Sequence, residues 1–67
     1  MGKLTFDNRI REIRKDKDLT LAELSNSARI SIPYLSDIER GNRHGSKSVL
    51  ERIAKALGVT VSDLEVA

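Results

Sequence analysis

Apolar residues in this chain recur at helical spacing, in short bursts separated by polar punctuation. Phe6, Ile10 and Ile13 stand at i, i+4 and i+7, one face of a helix, with Arg and Lys elsewhere on it. Thr5 is placed to cap that helix, and it ends in "KDKD", where Asp18 tolerates a left-handed backbone better than most residues. Thr20-x-x-Glu23 then forms a capping box ahead of Leu24 and Ala28. Ser31 caps a third helix, with Ile30 just before it and Leu35 and Ile38 on its inner side. Pro33 falls in the first turn, where its missing N–H costs little because that group has no intrahelical partner. Gly41 closes the third helix. Ser46 caps a fourth that carries Leu50, Ile53, Ala54 and Leu57 at i, i+3, i+4 and i+7, and Gly58 stops it. Thr60-x-x-Asp63 opens a last turn or two through Leu64 and Val66.

The spacing predicts five helices, over about 6–17, 20–27, 31–40, 46–57 and 61–66, and no alternating run argues for a strand. The expected class is all-α, a compact bundle of short helices with short connections. Within it, Leu21 to Arg40 forms a unit. Helices of about eight residues are unstable alone, so each must lend an edge to a shared seam. Leu24, Ala28, Leu35 and Ile38 supply that seam, Ser25 is small where the helices cross, and Ile30 plugs the corner. That is a helix-turn-helix pattern: it holds the second helix at a steep angle with its outer face free. A helix held proud in this way fits a major groove about 12 Å wide.

Composition narrows the chemistry. A chain of 67 residues makes one domain at most, with a small core. With no cysteine and one histidine, disulfides, thiolate metal sites and a cysteine nucleophile are excluded, and no metal or other cofactor is expected. No apolar run is long enough to span a membrane, and Met1–Leu19 lacks the uncharged core of a signal peptide, so a cytoplasmic protein is expected. No acid–base pair, phosphate loop or nucleophile–histidine arrangement suggests an enzyme. The net charge of +2 changes little, but its distribution matters. From Arg40 to Ser48 the chain carries Arg40, Arg43, His44 and Lys47 and no acid. On charge alone that stretch is either a phosphate footprint or a solvated loop.

The motif "YLSDIERG" followed by "LERIAKALGV" is far more specific than the periodicity. With it, Arg9 to Leu64 resembles, without insertion, the lambda-repressor-like DNA-binding domain of the Cro/repressor (XRE) family. The resemblance implies a bundle of four or five helices and one helix-turn-helix DNA-binding domain over residues 1–67. It implies sequence-specific binding to operator DNA by a transcriptional regulator, most often a repressor, usually as a two-fold dimer.

By position, Arg14 and Glu39 match a pair that is buried or half-buried in the family. A carboxylate near a helix C-terminus opposes the macrodipole, so Glu39 also needs a cationic partner on physical grounds. Ile32, Pro33, Ser36, Asp37 and Arg40 match the outward, base-facing positions of the recognition helix. Ile32 and Pro33 suit thymine methyls, Asp37 the cytosine N4 amino group, Ser36 is permissive, and Arg40 suits guanine or phosphate. Thr20 and Ser31, with the N–H groups that open their helices, and Asn42, Arg43 and Lys47 match phosphate contacts. The Tyr34 hydroxyl is placed either to reach a phosphate or to pack over the bundle edge.

The chain departs from the family pattern at four points. Leu21 stands where a phosphate-clamping Gln is common, Arg29 where the turn has Gly, and Gly45 where Pro usually precedes the fourth helix. The recognition helix also offers no Gln, Asn or Lys. Val59, Val61, Leu64 and Val66 form an apolar C-terminal tip that is either a homodimer contact or internal packing. No small-molecule effector is evident. An alternative function is a protein-interaction module, with Ile32 and Pro33 as its apolar patch.

Overall fold

The computed structural model describes residues 8–65, and among them it forms five helices. They are α1 (Ile10–Asp16), α2 (Leu21–Ala28), α3 (Ile32–Glu39), α4 (Lys47–Leu57) and α5 (Val61–Leu64). Four of the starts carry the caps their sequences call for, and at α3 the Ser31 hydroxyl accepts from the Tyr34 N–H. Thr20 and Thr60 make full capping boxes with Glu23 and Asp63, and the Ser46 hydroxyl accepts from the Val49 N–H.

The ends share one geometry. One residue after α2 and α4, and two after α1 and α3, the chain turns left-handed: Asp18 (φ 57°), Arg29 (φ 61°), Gly41 (φ 80°) and Gly58 (φ 75°). At each end the next N–H then reaches back five residues to a carbonyl: Leu19 to Arg14, Ile30 to Ser25, Asn42 to Asp37, Val59 to Ala54. Two of the four positions are glycine, for which this conformation carries no steric cost. The other two take it under some strain.

The core joins all five helices: Ile10, Leu24, Ala28, Leu35, Ile38, Val49, Leu50, Ile53, Ala54, Leu57 and Leu64 are buried. α2 lies at its centre, packed on α3 and α4, and α4 also carries α5. Each fully buried Leu or Ile stabilises the fold by about 1.5–3 kcal/mol relative to exposure. Among the described residues, no helix is long and apolar enough to cross a membrane.

Two boundaries differ from the sequence expectation by more than one residue. The first helix starts at Ile10 rather than near residue 6, because Asn8 and Arg9 are held elsewhere. Asn8 Oδ1 accepts from the Ile10 N–H (3.1 Å), its Nδ2 donates to the Ile38 carbonyl (2.8 Å), and the Arg9 N–H donates to the Leu64 carbonyl (2.7 Å). The last helix ends at Leu64 rather than 66 for the same reason: Glu65 leaves it to bridge Asn8. Leu64, expected at a dimer surface or in the core, is fully buried within the chain, so its side chain is not available to a partner. Thr5, Phe6 and Val66 lie outside the described residues.

Candidate nucleic-acid interface

α3 presents two different faces, and the residues that fix each face explain the site. Its inner face buries Leu35 and Ile38. At its C-terminal end the Glu39 carboxylate lies against the Arg14 guanidinium, with Nε–Oε2 at 2.7 Å and Nη2–Oε1 at 3.3 Å. The third Arg14 donor, Nη1, reaches the Leu19 carbonyl at 2.7 Å. The two side chains are 10% and 4% exposed, so this fork-to-fork contact is withdrawn from water and ties α3 to α1.

The outer face starts with Ile32, 45% exposed, while Pro33 beside it is also exposed. Among the described residues Ile32 is the exposed large apolar side chain, and it stands at the tip of the helix. Ser36 and Asp37 follow, half-buried, and then Arg40, exposed. Asp37 is the centre of a small charged cluster. Its Oδ1 accepts from Arg40 Nη2 at 2.9 Å, and its Oδ2 lies 3.4 Å from Arg43 Nε. The Arg43 guanidinium in turn sits 5.7 Å from the centroid of the Tyr34 ring, a cation–π distance. The helix closure produces this arrangement: the N–H groups of Asn42 and Arg43 both return to the Asp37 carbonyl, which folds the loop back over the helix.

The remaining residues expected at a phosphate surface are placed as follows. Thr20, Ser31, Asn42, Arg43 and Lys47 are all exposed. The hydroxyls of Thr20 and Ser31 are already engaged as caps, by the N–H groups of Glu23 and Tyr34. The Thr20 N–H is taken by the Glu23 carboxylate at 2.8 Å, so that acid stands where a phosphate would approach α2. In the first turn of α3, Pro33 has no N–H and Tyr34 uses its own, leaving the Ile32 N–H as the free donor. Tyr34 is half-buried against the core beneath Arg43.

The departures from the family pattern have local explanations. Leu21 packs against the core, so no clamp is offered there. Gly45 has φ +80°, which proline cannot adopt, and an added Cβ would sit 3.1 Å from Ile38 Cδ1. Arg29 is left-handed, as a turn glycine would be. Sequence reasoning did not single out Arg52 and Lys55 of α4, which line a groove with Arg29, Ser27 and Ala56; no α3 residue contributes to it. Val59 and Val61 are half-buried against the core.

A two-helix unit with its second helix locked by a buried ion pair and a basic margin after it defines a helix-turn-helix protein. The helix-turn-helix family model matches residues 10–64, and the chain belongs to that family. It is 45% identical over 56 residues to the HTH-type transcriptional regulator DdrOP3 of Deinococcus deserti, covering 84% of this chain and 43% of that protein. It is 46% identical over 59 residues to the immunity repressor protein of Bacillus phage phi105, covering 88% of this chain and 41% of the repressor. The chain therefore spans less than half the length of these relatives. Its fold matches the crystal structure of SinR, a Bacillus subtilis master regulator for biofilm formation, in complex with DNA. The TM-score is 0.75 and the identity 38%, over 81% of this chain and 87% of that one.

Proposed function

We propose that this protein is a transcriptional regulator that binds duplex DNA sequence-specifically, as a repressor, with α3 in the major groove of an inverted-repeat operator. The observation that carries the reading is Ile32. A large apolar side chain is left exposed at the tip of a helix whose other end is anchored by Arg14 and Glu39. Burial against a thymine methyl accounts for that exposure. Arg40, Arg43 and Lys47, exposed at and beyond the C-terminal end of α3, suit phosphate oxygens. Likeness to an immunity repressor and to SinR, solved with DNA, supports the same reading.

Two-fold binding fits half-sites about 34 Å apart, with Val59 and Val61 as the homodimer contact. The reading involves no catalytic step and places the protein where DNA is, in the cytoplasm. Selection of binding sites from random duplex DNA, followed by sizing of the complex, tests it. A two-fold symmetric consensus bound by two chains is expected, with affinity falling steeply as salt rises. Arg43→Ala with Lys47→Ala should flatten the log–log salt slope by about 2 while the fold persists. Duplex binding that ignores salt, or no binding with an intact fold, overturns the reading. In that case Ile32 and Pro33 become the patch of a protein-interaction module.

A further inference from the structure

Asp37 is badly placed for a simple base contact. Both of its oxygens are already occupied, one by Arg40 at 2.9 Å and the other by Arg43 at 3.4 Å. Those two arginines are also the cations best placed to meet phosphate. They are 61% and 63% exposed, so water screens the pairs and a stronger anion can take either arginine. When a phosphate does so, it strips Asp37 of its counterions and leaves a carboxylate facing a polyanion.

We propose that Asp37 is a specificity-determining residue that acts as a gate: it holds Arg40 and Arg43 away from phosphate unless the DNA offers it a donor in exchange. The inference rests on the proposed DNA-binding function. On random duplex, releasing the arginines leaves Asp37 unpaired, and binding is penalised. At a site that presents a cytosine N4 amino group to Asp37, the carboxylate gains a new partner as it loses the old ones, and both arginines become free for the backbone. Discrimination then comes from weakening the wrong complexes more than from strengthening the right one. The Tyr34 ring holds Arg43 at the same time as Asp37 does. With Arg43 5.7 Å from the ring centroid, the guanidinium keeps a partner even while Asp37 moves between arginine and base. A recognition helix without Gln, Asn or Lys thereby gains selectivity that its few direct contacts do not supply.

The test compares Asp37→Asn with the unaltered protein, on the selected operator duplex and on a random-sequence duplex of equal length, across a range of salt. Asparagine keeps the shape and, at this position, the helix: the Asp37 backbone carbonyl, not its side chain, closes α3. Asp37→Asn should tighten binding to random duplex by about tenfold and steepen its salt slope by up to about 2, as two arginines reach phosphate. Operator affinity should stay level or fall, so the specificity ratio shrinks.

In an Arg40→Gln, Arg43→Gln background, the gain on random duplex from Asp37→Asn should drop to a small remainder, since there is no arginine left to release. Equal changes on both duplexes, or no change on either, overturn the gate. So does a full-sized gain in the arginine-less background, which would mean plain charge repulsion. Failure of the unaltered protein to bind any duplex with salt dependence is a separate result. It removes the DNA-binding function itself.

Discussion

α3 carries two carboxylates, two residues apart, each held by arginine, and the two pairs have opposite physics. Glu39 and Arg14 are 4% and 10% exposed; Asp37 is 33% exposed and its partners more than 60%. The buried pair cannot exchange partners with solvent, so its geometry is fixed and its role is to hold the helix on the body. The exposed pairs are weak because water and salt compete for them, and for that reason their arginines can be transferred to another anion. One turn of one helix thus separates a structural contact from a usable one, with burial as the only difference of kind.

Removing half of the buried pair should produce the largest effect. Glu39→Ala leaves the Arg14 guanidinium buried with one carbonyl partner, and a loss of about 3–5 kcal/mol in urea unfolding is expected. That is a large fraction of a small domain's stability. Replacing both members, with Arg14→Met and Glu39→Leu, should cost less than either single change, because no buried charge is then left unpaired. A double variant as damaged as the sum of its parts would show that the pair itself, and not the stranded charge, dominates.

The next effect is a gain. Arg29 holds φ 61° in the same closure that Gly58 makes at 75°. Arg29→Gly should stabilise the fold by about 1 kcal/mol, the usual steric cost of a left-handed non-glycine residue. An unchanged or lowered midpoint would show that the arginine recovers its strain through contacts of its side chain.

Asp37→Asn should move stability by less than about 0.5 kcal/mol, since it breaks only screened surface pairs. Paired with Glu39→Ala, it states the comparison in two numbers: similar chemistry, the same helix, and an expected difference of severalfold. A loss comparable to that of Glu39→Ala would place Asp37 among the structural residues and undo the contrast.

Much of this was legible in the sequence because it is local. Caps such as Thr20 with Glu23, stops such as Gly41 and Gly58, and the inward spacing of Leu35 and Ile38 depend on residues within a turn of one another. Arg14 and Glu39 could be paired from the family pattern and from the macrodipole, though they lie 25 residues apart. What the sequence did not show was settled by contacts across the fold. Asn8 ends the helical run early because its amide is taken by the Ile38 carbonyl, 30 residues away. Leu64 is drawn inward because the Arg9 N–H holds its carbonyl. Arg43 meets Asp37 only because the α3 closure folds the loop back, and nothing in the order of residues announces that return.

The smallest effect concerns a third carboxylate, more exposed than Asp37 and locally bonded. Asp63 accepts from the Thr60 N–H at 3.0 Å, and that bond, with the Thr60 side chain next, holds its pKa below the ordinary aspartate value. A carboxyl whose pKa is lower folded than unfolded binds fewer protons in the native state. Its stabilisation is therefore present above the unfolded pKa and is lost as pH falls through the folded one. Asp63→Asn should remove this contribution: the variant is slightly less stable at neutral pH, and the gap closes as pH falls through the folded pKa, which makes its acid limb shallower. Because Asp63 is exposed, the difference should be slight beside that of Glu39→Ala. If the two acid limbs superimpose, the Thr60 capping box contributes through geometry alone and owes nothing to the charge of its carboxylate.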